Sequence, residues 1–269
     1  MKITLIGFGE VGQTFAAGFL QNPGIVVCAY DRVFATDAAA LDRARQTGAS
    51  VETSASLAAS DADIVLCAVT ADQCEAAARE AAGYLRPGQI FFDVNSASPH
   101  TKRRAAAHVS EQRGSYVEGA VMAAVLAPRL AVPILAGGAR AVELADMLNP
   151  LGMRITPVAT EVGEASATKL CRSIIIKGLE ALLCDCSAAA RHAGVESAVY
   201  ASLAETFPSI DWPKLAISMQ ERVARHGIRR AAEMREAADM LAEFGMESGL
   251  ARAVADRQEQ GALHRPADH

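Results

Sequence analysis

The run Gly7-Phe8-Gly9-Glu10-Val11-Gly12 lies between an apolar stretch, Lys2–Ile6, and the onset of helical periodicity at Glu10. Glycines at these three positions have distinct uses. Gly7 permits a tight turn, Gly9 lets a pyrophosphate approach the backbone, and Gly12 lets the helix pack close to the strand. The helix start, with Phe8, Glu10 and Val11 around it, turns N–H groups and a positive dipole end toward the phosphates. Asp31 closes the next apolar stretch, Ile25–Tyr30. A carboxylate there accepts hydrogen bonds from the adenosine ribose hydroxyls; a turn or N-cap aspartate is the plain alternative. Asp31 also repels a 2′-phosphate, which favours NAD. Arg32 beside it can pair with that phosphate, so NADP stays open.

Two further segments, Val69-Thr70 and Asp93-Val94-Asn95-Ser96, follow apolar strands. Ligands of open α/β sheets gather at such carboxyl ends. Val69, Thr70 and Asn95 are therefore candidate cofactor contacts, against the simpler reading of polar strand exits. Lys169 stands near the start of a mostly apolar helix, where a cation is costly unless paired, exposed or functional. Burial lowers the pKa of an amine, which suits proton transfer; the plain alternative is a solvated lysine on a first helical turn. Ser173 is one turn on and shares its face. It can bond a substrate, hold the lysine, or bond back to the carbonyl of residue 169. Lys177 continues the stripe as a domain-interface or surface charge. His226 is either a nicotinamide or substrate contact or a surface histidine. Arg229, Arg230 and Glu233 form a charged helix face with internal pairs.

The elements that must hold these residues alternate in the first half. Strands are expected at Lys2–Ile6, Ile25–Tyr30, Ile64–Val69, Ile90–Asp93, Tyr116–Val121 and Val132–Ala136. Helices are expected at Glu10–Leu20, Thr36–Thr47, Ala71–Tyr84, Pro99–Gln112 and Ala139–Leu148. Such alternation implies a doubly wound, mainly parallel sheet with right-handed crossovers. The pattern changes near Pro157. Glu161–Gly194 reads as one long helix, apolar on several faces and so buried nearly all round. Lys214–Phe244 and Gly249–Gln260 return to helical periodicity, and Gly261–His269 reads as a frayed tail. The fold class is α/β: a Rossmann domain over residues 1–160, then an all-α catalytic and dimerisation domain over 161–269.

Composition excludes several classes. Net charge is −5, and no basic run is interleaved with aromatics, so nucleic acid is not an expected partner. Six cysteines, none in a C-x-x-C pair, read as reduced core residues, with a metal site as the weaker alternative. Gly7, Gly9 and Gly12 interrupt the N-terminal apolar run too early for a secretory signal. No apolar stretch approaches the roughly 20 residues of a membrane span, so a cytoplasmic location and no membrane partner are expected.

These segments together resemble the β-hydroxyacid dehydrogenase family, which includes 3-hydroxyisobutyrate and 6-phosphogluconate dehydrogenases. The resemblance runs through Ile6–Gly12, through Asp93-Val-Asn-Ser-Ala-Ser-Pro99, which is similar to its D-x-S-T-x-x-P stretch, and through Val117–Ala124, placed like its D-A-P-V-S-G-G substrate segment. It continues in Gly163-Glu-Ala-Ser-Ala-Thr-Lys169, similar to its G-x-G-x-x-x-K helix start, and in His226–Arg230, where many relatives carry a K-D pair near the nicotinamide. The C-terminal half looks most like a poorly characterised branch. The resemblance implies an NAD(P)-dependent oxidoreductase that interconverts a hydroxyl-bearing small molecule, a hydroxy acid or related alcohol, and its carbonyl form. It implies Lys169 as general acid/base, substrate contacts at Ser96, Val121, Met122 and Ala123, and a homodimer formed through the helical domain. Departures are Met122 for serine, Ala123 and Ala124 for two glycines, Ala165 for a glycine and Ser173 for asparagine. The rival readings are an imine reductase, whose relatives commonly carry aspartate or tyrosine in place of Lys169, and a non-catalytic NAD-binding regulator.

Overall fold

In the computed structural model, which describes residues 1–111 and 114–263, the chain forms two compact units, Met1–Lys169 and Leu170–His269. The first unit is built on eight strands: β1 (Lys2–Ile6), β2 (Val26–Tyr30), β3 (Ser50–Val51), β4 (Ile64–Cys67), β5 (Ile90–Asp93), β6 (Ser115–Val121), β7 (Pro133–Gly137) and β8 (Arg154–Ala159). They form one sheet in the order β3-β2-β1-β4-β5-β6-β7-β8, parallel except for the β6–β7 pair. This is the doubly wound, mainly parallel sheet expected from the alternation. The central strands β4 and β5 are buried at every position, as continuous apolar runs covered on both faces should be. The covering helices are α1 (Glu10–Phe19), α2 (Ala38–Gln46), α3 (Ala55–Ala59), α4 (Cys74–Ala82), α5 (Pro99–Glu111) and α6 (Ala141–Leu148). One core contains Ile3, Phe15, Phe19, Phe92 and Ile134; the other contains Val65, Phe91, Ala78 and Val109.

Two strands and one helix of this unit escape a reading of pattern. β3 is two residues long, and α3 is five, too short to show a period. β8 carries Pro157, which cannot donate to a ladder; the strand tolerates it because it is the sheet's edge.

α7 (Glu164–His192) carries the chain from the first unit into the second, which continues with α8 (Glu196–Thr206), α9 (Trp212–Glu243) and α10 (Gly249–Leu263). The expectation that α7 is buried nearly all round is corrected. Cys171 and Arg172 are exposed, as are Ile175 at 69% and Leu182 at 67%. None of the residues of α8 is buried, so it carries no apolar stripe; it ends just before Phe207-Pro208, where a break is expected. α10 runs through Leu263, so Gly261–Leu263 are helical and not frayed; residues 264–269 of that expected tail lie outside the described residues. In this unit Leu183, Trp212 and Met219 form a small core. Gly227 lets α9 and α10 approach closely: a Cβ there would fall 2.1 Å from the Gln258 carbonyl oxygen. No helix among the described residues is long and apolar enough to cross a membrane.

Candidate functional site

The register of the parallel strands brings the chemistry-bearing residues to one edge. Ile6 pairs with Tyr30 and Cys67, and Cys67 pairs with Asp93. The residues after each strand therefore lie along the carboxyl end of the sheet: Gly7, Asp31, Val69 with Thr70, and Asn95 with Ser96.

The turn after β1 has the shape a dinucleotide needs. Gly7 takes φ +89, and a Cβ there would lie 2.5 Å from the Ala68 carbonyl oxygen; at Gly12 it would lie 2.4 Å from the Gly7 carbonyl oxygen. At Gly9 a Cβ would meet nothing within 4 Å. Gly9 is exposed and caps α1 without a side-chain bond, so open space faces the helix start where phosphates bind. Asp31 accepts the Phe8 N–H at 2.7 Å through Oδ2 and the Val33 N–H at 3.0 Å through Oδ1. Each oxygen keeps a second lone pair for a ribose hydroxyl. Arg32 is exposed and donates to Gln73 Oε1 at 2.9 Å. The Phe8 ring itself is buried and meets Phe34, while Glu10 is exposed and Val11 half-buried. Thr70 is exposed and bonds Asp72; Val69 packs against the core.

Behind the β5 exit lies a buried polar cluster. Asp93 is fully buried. Its Oδ1 accepts the Asn95 N–H at 2.9 Å and the Asn95 side-chain amide at 2.6 Å, and Lys102 Nζ stands 2.9 Å away. Its Oδ2 accepts the Tyr116 hydroxyl at 2.6 Å and the Cys74 thiol at 2.9 Å. Lys102 also donates to the Asp93 carbonyl at 3.0 Å. Burial lowers the Lys102 pKa, but the charge and hydrogen bond of Asp93, with the further contributions of Cys74 and Glu118, together outweigh this and leave it above its ordinary value. Burial, and then the charge of Asp93, push the Cys67 thiol up to about 12 and raise Cys74 and Tyr116 as well. One residue past Asn95, the Ser96 hydroxyl accepts a hydrogen bond from Lys169 Nζ. Lys169 is only 9% exposed.

The NAD binding domain of 6-phosphogluconate dehydrogenase matches residues 2–159, and a domain of unknown function, DUF1932, matches residues 190–261. A conserved hypothetical protein from Sinorhizobium meliloti is 38% identical, with TM-score 0.84, over 98% of this chain and 89% of its own. The conserved protein MTH1747, described as structurally similar to 3-hydroxyacid dehydrogenases, is 32% identical, with TM-score 0.80, over 98% of both chains. The chain belongs to the β-hydroxyacid dehydrogenase-like family. It binds a nicotinamide dinucleotide, NAD(P), through its first unit. A Mycobacterium tuberculosis 3-hydroxyisobutyrate dehydrogenase (19% identical, TM-score 0.79, covering 98% of this chain and 94% of its own) shares the fold. So does a Streptomyces aurantiacus imine reductase (20%, TM-score 0.61, covering 98% and 95%).

Within this family frame, the first unit brings together the glycine turn, Asp31, Asn95, Ser96 and Lys169. Ser96 meets Lys169 itself. Val121, expected at the substrate, packs partly into the core, and Met122 donates its N–H to the Pro133 carbonyl at 2.9 Å; Ala123 is exposed. Ser173 and His226 belong to the second unit. Ser173 is buried and accepts from Lys177 at 2.9 Å, and His226 is exposed on α9. Lys177, expected at an interface or surface, is instead buried and paired with Glu233 at 2.8 Å. Arg230 forks onto the fully buried Glu180, one nitrogen at 2.8 Å, so this part of the charged face points inward. A reading of sequence passes over Asp93 as a structural centre, with Lys102 and Glu118. The available signal was a lone acid inside an apolar strand, in Phe92-Asp93 and in Val117-Glu118.

The thiol and phenol pKa values set an alkaline limit on stability. The folded chain holds protons that the unfolded chain releases from about pH 9, the ordinary value of Cys67. Raised folded values mean this stability is complete below pH 9 and is lost as pH climbs toward 12. The melting temperature should therefore fall between pH 8 and pH 11, and fall less steeply in Cys67→Ala. Equal slopes in the two proteins would refute the assignment.

Proposed function

We propose that the protein is an NAD(P)-dependent oxidoreductase that interconverts the hydroxyl of a small molecule and its carbonyl form, with Lys169 as general acid/base. The observation that carries this reading is the buried Lys169 ammonium on Ser96, at the sheet end that also holds the glycine turn. The bound nicotinamide supplies the hydride acceptor or donor. The protein's part is to bind, orient and move a proton. Gly7, Gly9 and Gly12 shape the phosphate turn, Asp31 receives the ribose, and Val69, Thr70 and Asn95 flank the sheet end. Lys169 takes the hydroxyl proton in oxidation and returns it in reduction, while Ser96 holds the amine. Ser96, Val121, Met122 and Ala123 are the proposed substrate contacts, and the apolar character of the last three suits a substrate with a carbon skeleton beyond the smallest hydroxy acids.

A panel of hydroxy acids, polyols, phosphorylated sugar acids and imines, followed by reduced-nicotinamide absorbance, tests the reaction class; turnover of imines alone would favour imine reduction. With an active alcohol in hand, Lys169→Ala should lower kcat by about 10²–10⁴-fold, the usual range for general acid–base catalysis. Lys169→Arg should also be poor, because a guanidinium stays protonated. Cofactor affinity should hardly change in either. Retention of more than about a tenth of kcat in Lys169→Ala, with chemistry rate-limiting, sinks the assignment; Ser173 and His226 are then the next candidates.

The expected preference is for NAD, because a carboxylate at Asp31 would repel a 2′-phosphate. Calorimetric titration with both dinucleotides checks this. Tighter binding of NADP would show that Arg32 governs the site.

A homodimer accounts for the apolar surface of the second unit, where Ile175, Leu182 and Ile228 are 69%, 67% and 53% exposed. Light scattering should report a species at least twice the 28.2 kDa chain; a monomer at micromolar concentration overturns this.

A further inference from the structure

Glu118 lies within β6, between Asp93 of β5 and Gly137 of β7 in register, and is fully buried. Gly137 leaves it room: a Cβ there would lie 2.7 Å from Glu118 Oε1. A buried carboxylate ordinarily has donors on both oxygens. Here Oε1 accepts two backbone N–H groups, from Gly163 at 2.6 Å and Ala165 at 3.0 Å, and Oε2 has no hydrogen-bond partner among the described residues. Both donors belong to the start of α7. Gly163 has φ +117, and a Cβ there would lie 2.6 Å from the Arg103 guanidinium. That guanidinium donates to the Val162 carbonyl at 3.1 Å. The entry to α7 is thus clamped from β6 on one side and from α5 on the other.

Lys169 follows within two turns of this clamp, and its partner Ser96 hangs from β5, the strand beside β6. The Asp93–Asn95 bonds fix the β5 exit. The ammonium meets the hydroxyl because both are referenced to adjacent strands. We propose that Glu118 is a positioning residue for Lys169: its Oε1 anchors the first turn of α7 to the sheet and so holds the lysine amine at Ser96. The inference rests on the reading of Lys169 as acid/base. The bonds from Gly163 and Ala165 both fall on Oε1, so an acceptor at that one position is what the proposal requires.

Two variants test this. Glu118→Gln keeps the Oε1 acceptor; Glu118→Met keeps similar size and offers only a weak thioether acceptor. Acetylation of Lys169 by an N-hydroxysuccinimide ester, quantified by peptide mass spectrometry against the exposed Lys214, needs no turnover. Lys169 should label at the wild-type rate in Glu118→Gln and about fivefold faster or more in Glu118→Met, as local opening of the first turn exposes it. In turnover, Glu118→Met should lose about tenfold or more in kcat with KM and NAD affinity nearly unchanged, and in a Lys169→Ala background Glu118→Met should cause no further loss. Wild-type labelling and kcat in a folded Glu118→Met overturn the proposal. If that variant does not fold, Glu118→Asp shortens the reach by one methylene, and unchanged Lys169 labelling there overturns it equally. An active Lys169→Ala refutes the catalytic reading instead, whatever the labelling shows.

Discussion

One buried carboxylate organises the carboxyl edge of the sheet. Asp93 closes β5 with no exposure, where an ionised group is tolerated only if its lone pairs are filled. The donors come from four places: Asn95 just past the strand, Lys102 on α5, Cys74 on α4 and Tyr116 on β6. Each bond that stabilises the charge also fixes an element. The Asn95 bonds fold the chain back on itself after β5, which sets where Ser96 begins. Lys102 holds the start of α5 to the strand it follows. The breaking of such a pair leaves a charge stranded in the core, which is far more costly than a lost surface bond. The site's geometry is therefore as firm as the core.

The same centre keeps the cysteines beside it protonated. Cys74 gives its proton's hydrogen bond to Asp93, and Cys67 receives a bond from the Asn95 amide at 3.4 Å. Burial and the nearby negative charge both oppose thiolate formation. A protonated buried thiol behaves as a small hydrophobe. Reading these cysteines as core residues was possible from their apolar neighbours alone. Their link to Asp93 was not, because nothing in a linear pattern joins positions on four elements.

That contrast runs through the whole chain. The strands, most helices and the glycine turn are contiguous patterns, so they can be read directly: a continuous apolar run such as Ile64–Cys67 has few alternatives to a buried parallel strand. Lys169 stood out because a lone cation in an apolar helix demands a reason. Glu118 and Lys102 demanded one equally. Glu118 sits in an apolar strand but its donors lie beyond residue 162, and Lys102 is masked by Arg103 and Arg104, which make the segment look like a solvated charged face. The misreading of α7 has a different cause. Apolarity on many faces indicates that surface must be covered, but not that a single chain covers it.

The stripe Lys169, Ser173, Lys177 shows how far helical spacing carries chemistry. Shared spacing puts the three on one side of α7, and the intuitive reading groups them into one function. Their partners divide them. Lys169 belongs to the first unit and donates to Ser96. Lys177 donates to Ser173 and pairs with Glu233, deep in the second unit. A Ser173 oxygen that accepts from an ammonium has its own O–H left to donate, so the hydroxyl is biased toward the donor role. Of the two lysines, then, Lys169 donates to the Ser96 hydroxyl in the first unit and Lys177 pairs with the Glu233 carboxylate in the second, so a shared helical face does not give them a shared environment.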